Sequence, residues 1–105
     1  MLNTDLHIQE FLDLATRKAN AHYAEHYPTL SAPIFYIEKG RKYNRVVMSD
    51  KYGHRSVHAF IGNDSKLYKA AGWKAPAKGA RYDLGTDMQT LEQVFDPYGS
   101  YLYAR

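Results

Sequence analysis

The stretch IFYIEKGRKYNRVVMSDKYGHRSVHAFIGNDSKLYKAA, residues 34–71, decides the fold. Its side chains change character with a period near two through Ile34–Glu38, Tyr43–Ser49, Ser56–Ile61 and Lys66–Ala71, and each run is rich in β-branched or aromatic residues. That pattern predicts four extended strands. The breaks, Lys39-Gly40, Asp50-Lys51-Tyr52-Gly53 and Gly62-Asn63-Asp64-Ser65, are short enough for hairpins, and each holds a glycine able to take positive φ. An antiparallel meander is therefore the economical topology. Strict alternation in the third run puts Val57, Ala59 and Ile61 on one side and Ser56, His58 and Phe60 on the other, leaving one face to lie on a helix.

On the N-terminal side, Ile8, Phe11, Leu12, Ala15, Ala19 and Tyr23 recur at spacings of three and four, which predicts an amphipathic helix from Thr4 to about His26. Asn3 or Thr4 can cap it, Asp5 and Glu10 suit its positive end, and Pro28 stops it. The segment from Pro28 to Pro33 then connects helix to sheet. On the C-terminal side, residues 72–85 have three glycines, a proline and no clean period, and read as an ordered loop anchored by Trp73. Thr86 and Gln89 match a capping box ahead of Met88, Leu91 and Phe95, a short second helix ending at Asp96-Pro97. The tail alternates Tyr101 and Tyr103 with smaller residues, as a last strand or a docked aromatic arm would.

The fold expected is α+β, one domain over residues 1–105: an N-terminal amphipathic helix packed on a four- or five-stranded antiparallel meander, with a short second helix near the C-terminus. Its core should join Ile8, Phe11, Leu12 and Tyr23 to Ile34, Val46, Met48, Val57, Ile61 and Leu67. A chain of 105 residues buries one modest core, so dimerisation through an edge strand or the Tyr-rich tail would add useful burial.

Composition removes several function classes. With 45% hydrophobic and 24% charged residues the chain reads as globular rather than disordered or coiled-coil. The absence of cysteine rules out disulfides, thiol nucleophiles and cysteine-held zinc, and suits a cytoplasm. No apolar run approaches the roughly 20 residues that span a bilayer, and MLNTDLHIQE lacks the basic and apolar regions of a signal peptide, so neither membrane insertion nor export is expected.

Charge is the most informative property left. Residues 39–81 carry eleven Lys and Arg against Asp50 and Asp64, a net +9, while residues 1–38 and 82–105 each sum to −3. Such a block is either a solvated face neutralised by the acidic ends or a surface for an anionic partner. Within it, KAAGWKAPAKGAR (residues 69–81) interleaves Lys69, Lys74, Lys78 and Arg81 with small residues and the indole of Trp73. Lysines offer point charge and Arg81 a bidentate fork for phosphate, although GxxxxGK[ST] and GxGxxG are both absent. Arg41, Arg45 and Arg55 extend the charge along the strands. Tyr43 and Trp73 are candidates for stacking on bases, as in single-strand binders. Tyrosine is equally an ordinary half-buried strand residue, and Trp73 equally a cover for the sheet edge, so composition leaves both roles open.

Catalytic signals are weak. His22-Tyr23-Ala24-Glu25-His26 has the H-x-x-E-H order of inverted zinc peptidases, yet its third ligand would have to be a distant residue such as Glu92. The alternative is a helix end where Glu25 and His26 face solvent. His54 and His58, four apart, share a sheet face only if no bulge intervenes. No serine elbow exists and no paired carboxylates interrupt the basic region. No catalytic residue, metal or cofactor is therefore expected.

Gly40-Arg41-Lys42-Tyr43, then Ser56-Val57-His58-Ala59-Phe60, then KAAGWKAPAKGAR, together resemble a pattern in small uncharacterised proteins encoded by tailed bacteriophages and marine viral genomes. Those proteins run from G-R-K-Y through S-V-H-x-F to K-A-A-S-W-K-A-P-A-K-x-x-R-G-N. Gly72 stands here in place of that serine, and Tyr82-Asp83 in place of the final Gly-Asn. The resemblance implies a viral accessory protein made in a bacterial cytoplasm and supplies no activity. The residues themselves point to a non-catalytic module that binds a phosphate-bearing ligand, nucleic acid above all. The alternative is an interaction protein that blocks a host or defence component, by covering a protein surface or by sequestering a nucleotide.

Overall fold

A computed structural model describes residues 4–103. Helix α1, Thr4–His26, has the expected bounds, and its ladder closes with Tyr27 N–H donating to the Tyr23 carbonyl at 2.8 Å, just before Pro28. Its buried stripe is Ile8, Phe11, Leu14, Ala15 and Ala19. Thr4 does not act as a free cap: its hydroxyl donates to the Asn63 carbonyl at 3.0 Å and lies 2.9 Å from Ser65 Oγ, which ties the helix to the sheet. Asn3 lies outside the described residues.

Strands β1 (Ile34–Glu38), β2 (Tyr43–Ser49), β3 (Arg55–Gly62), β4 (Lys66–Ala70) and β5 (Pro76–Asp83) form one antiparallel sheet in the order β1-β2-β3-β4-β5. The first four are the expected runs and the meander is as expected. The fifth corrects the ordered loop read over residues 72–85. Its small residues have little intrinsic strand preference, and the conformation comes from pairing with β4, where Leu67 faces Tyr82 and Tyr68 faces Ala80. As an edge strand it tolerates Pro76 at its first position and Gly79 at φ +88°. Turn chemistry departs too. Gly53 takes the positive φ in its hairpin, but between β3 and β4 Ser65 takes it at φ 62°, held inward by its contact with Thr4. Gly40 is needed for closeness rather than for φ, because a Cβ there would collide with the Tyr43 carbonyl.

A bulge sets which side chains meet the helix. Val46 pairs with Ala59 and Val47 with Val57, so His58 is the extra residue of β3. Ala59 and Ile61 face the core as alternation requires, and the bulge then turns His58 to that same side and Val57 away from it. His58 is accordingly buried at 8% exposure, with Phe11, Phe35 and Phe95 around its ring. The expectations of a core Val57 and of a His58 on the face opposite it both fail for this one reason.

Helix α2, Met88–Val94, starts after Asp87, and no side chain caps it. The capping box is not formed: Asp87 Oδ2 instead accepts the Asp83 N–H at 2.8 Å, bracing the end of β5. The tail is a docked arm, with a short 3-10 turn η1 at Ser100–Leu102 whose Tyr101 and Leu102 are buried while Tyr103 stays exposed. One cluster holds α1, the inner sheet face, Leu84, Leu91, Phe95 and this arm. Ile34, expected inside, is 61% exposed, and Phe35 takes its place because β1 presents odd positions inward. Tyr23 is only half-buried, whereas Leu12 and Met48 pack at the cluster's border.

Candidate functional site

The sheet face turned away from α1 carries the charge. Register and alternation put Tyr36, Glu38, Arg45, Val47, Val57, Phe60 and Tyr68 on it. The tip of the β4–β5 hairpin, closed by Ala71 and Gly72 N–H groups donating to the Ala75 carbonyl, folds Trp73 onto this face. Arg45 Nε donates to the Trp73 carbonyl at 2.7 Å, and the Arg45 and Arg55 guanidiniums lie 4.6 and 5.1 Å from the indole centroid. Both also bind Glu38, at 2.8 and 3.0 Å, and Arg55 donates to the Tyr36 hydroxyl. Arg45 foremost, then Arg55, hold the Glu38 carboxyl below the usual carboxylate range. Of the residues expected to bind ligand, Arg45, Arg55 and Trp73 are thus engaged within the protein, with the indole a clamp over the two arginines.

Beside this clamp is a groove of about 300 Å³ bordered by Arg41, Lys42, Arg45 and Lys74 and by the Glu38 carboxylate that Arg45 and Arg55 already bind, with Tyr43 and Phe60 in its lining. The backbone presenting Arg41 and Lys42 is pinned. Asn63 Nδ2 donates to the Arg41 carbonyl at 3.0 Å, the Asn63 N–H to the Lys42 carbonyl at 3.2 Å, and buried Asn44 bonds the Ile61 carbonyl and Asn63 behind them. Lys39, at the rim, is paired with Asp5 at 2.5 Å. Among the described residues no carboxylate pairs with Arg41, Lys42 or Lys74.

Tyr43 also borders a shallower concavity of about 590 Å³, lined by Lys66, Tyr68 and Lys78 among others. Its ring meets Tyr68 edge-on at 5.3 Å. Tyr68 donates to Asp64 Oδ2 at 2.7 Å, and that bond pushes its phenol up to about 12, so it stays neutral. Arg41, Tyr43, Arg45, Lys74 and Lys78 are thus brought onto one continuous face, and Lys42, Lys66, Phe60 and Tyr68 join them. The adjacency of Lys42 to Arg41 beside the Lys39-Gly40 break is the sequence signal for Lys42.

Two expected residues lie elsewhere. Lys69 borders a separate cleft, its Nζ 4.4 Å from the Tyr103 ring centroid. Arg81 is the half-buried extra residue of the β5 bulge opposite Leu67 and Tyr68. The histidine motif is no metal cage: the His22 and His26 rings lie tilted with centroids 4.6 Å apart, Glu92 is bound by Arg17 at 2.6 Å, and no group of three or more metal-ligating side chains converges among the described residues. His54 bonds Asp50 in its exposed turn. No described helix is long and apolar enough to cross a membrane.

No curated protein and no solved structure matches this chain. A family model does, over residues 3–104, and so takes in the helix, the whole meander, the basic groove and the docked arm together; the chain belongs to the family of unknown function DUF7717.

Proposed function

We propose that the outer sheet face is a non-catalytic binding surface for a phosphate-bearing ligand, nucleic acid in the first instance, within an accessory protein of the phage type. The observation that carries this reading is the convergence of Arg41, Lys42 and Lys74, none paired with a described carboxylate, on one groove that Tyr43 also lines. Cations supply affinity for phosphates, and the half-buried Tyr43 ring supplies a sequence-tolerant stacking surface. Continuity through Tyr43 to Tyr68, Lys66 and Lys78 supports a ligand longer than one nucleotide.

The test is fluorescence anisotropy with labelled single-stranded and duplex oligonucleotides at low salt. The triple variant Arg41→Ala, Lys42→Ala, Lys74→Ala should weaken binding more than about tenfold. Lys18→Ala with Lys51→Ala, which lowers net charge away from the groove, should change it little. Equal losses in the two variants, or no binding by the unaltered protein, overturn the proposal. The groove's volume, at the low end for small-molecule sites, supports a second reading in which an interaction protein sequesters one nucleotide. A nucleotide released from purified protein on denaturation would favour that reading.

A further inference from the structure

On the other face of the sheet, between β3, the end of β4 and the docked arm, lies a cleft of about 260 Å³ that the phosphate-binding proposal does not use. His58 lines it from the bulge of β3. Nε2 of that ring is turned inward, 2.8 Å from the Tyr101 hydroxyl, within a buried pair. Burial pushes the Tyr101 phenol well above its ordinary value, so it is a hydroxyl with a proton to donate, and His58 Nε2 is the one acceptor it meets among the described residues. A neutral imidazole accepting at Nε2 carries its own proton on Nδ1. That nitrogen makes no hydrogen bond to a described residue. It lies on the ring edge facing Gly99, another lining residue, where an added Cβ would sit 3.8 Å from Cε1 and 4.0 Å from Nδ1.

A side chain more than nine-tenths buried therefore holds an unanswered N–H donor toward an open cleft. Lys69 brings the cleft's one formal charge, and no aspartate or glutamate lines it. The rest of the lining mixes polar backbone with apolar groups, Met48, Leu102 and the rings of Tyr98 and Tyr103 among the latter. We infer that this cleft binds a small carboxylate with an apolar or aromatic body, one oxygen accepting from His58 Nδ1–H and the other facing Lys69. A monoanion matches one neutral donor plus one cation, whereas a phosphate dianion would leave one of its two charges unanswered. The bulge explains how the histidine reaches the cleft, since strict alternation would turn it to the opposite face.

Long-range 1H–15N spectra of labelled protein at neutral pH test the inference, followed by titration with benzoate, benzamide and inorganic phosphate. The free protein should show the Nδ1–H tautomer of His58. Benzoate should shift that ring's signals saturably, benzamide and phosphate should not, and Lys69→Met should raise the benzoate Kd about tenfold. Lys69→Gln, which keeps a polar head, should behave like Lys69→Met and guards against a packing artefact. An Nε2–H tautomer, equal responses to benzoate and benzamide, saturation by phosphate alone, or unaltered affinity in both Lys69 variants would each overturn it.

Discussion

His58 shows how one residue's surroundings become a property of the whole. Burial drives its pKa down from 6.5 to about 4, with the charge of Asp96 opposing only in part. Asp96 itself stays ionised below its usual range because Ser100 and backbone N–H groups of the arm bond it, and this outweighs its own burial. Between pH 6.5 and 4 the unfolded chain binds a proton at this histidine that the folded protein refuses. Stability is therefore complete above about pH 6.5 and falls as acid is added, by about 3 kcal/mol in all over a shift of this size. Urea unfolding from pH 7.5 to 4.5 should show the midpoint dropping through that window, and His58→Gln should flatten the drop. A wild-type midpoint constant from pH 6.5 to 4.5 would mean that His58 is not held neutral by burial.

The β4–β5 hairpin carries the charged face and was the least legible element. Its tip matters through Trp73, whose contacts with Arg45 and Arg55 join β5's side of the sheet to β2, β3 and Glu38. Trp73→Ala removes two cation–π contacts and some apolar burial, a loss of about 1–2 kcal/mol in chemical denaturation. An unshifted denaturation midpoint would contradict the anchoring role. Helix α1 and strands β1–β4 could be read from sequence because hydrophobic period and turn residues agree there. In β5 they do not, since Pro76, Ala77, Gly79 and Ala80 follow no period and the strand exists only as β4's partner. The His58 bulge was invisible for a related reason: a bulge is a relation between two strands, and one strand's alternation does not contain it. Thr86 and Gln89 had the composition of a capping box, but Asp87 was drawn instead to the Asp83 N–H. The candidate site was half legible. Arg41, Arg45, Tyr43, Lys74 and Lys78 were recognisable by type, yet which cations lacked an acidic partner depended on Asp5 and Glu38 folding back on Lys39, Arg45 and Arg55.

Across the whole molecule, acidic flanks neutralise part of a basic centre and leave Arg41, Lys42, Lys66, Lys74 and Lys78 on one face, while Lys51, Lys69 and Arg81 lie elsewhere. Asp5 answers Lys39 and Glu38 answers two arginines, while Arg41, Lys42 and Lys74 surround a groove with no described carboxylate partner. A solvated, merely tolerated charge block would pair at random or spread around the fold, whereas selective neutralisation leaves a localised positive field beside aromatic rings. On the proposed reading, phosphates held there would displace condensed counterions, which makes salt the most direct probe of that reading. The decisive measurement is the affinity for a single-stranded oligonucleotide across about 50–200 mM salt. Three to five phosphate contacts predict a linear log–log plot of slope about −2 to −3.5, shallower by about 2 in the Arg41, Lys42 and Lys74 triple variant. A flat plot, or a slope that the triple variant leaves unchanged, would contradict binding at this groove.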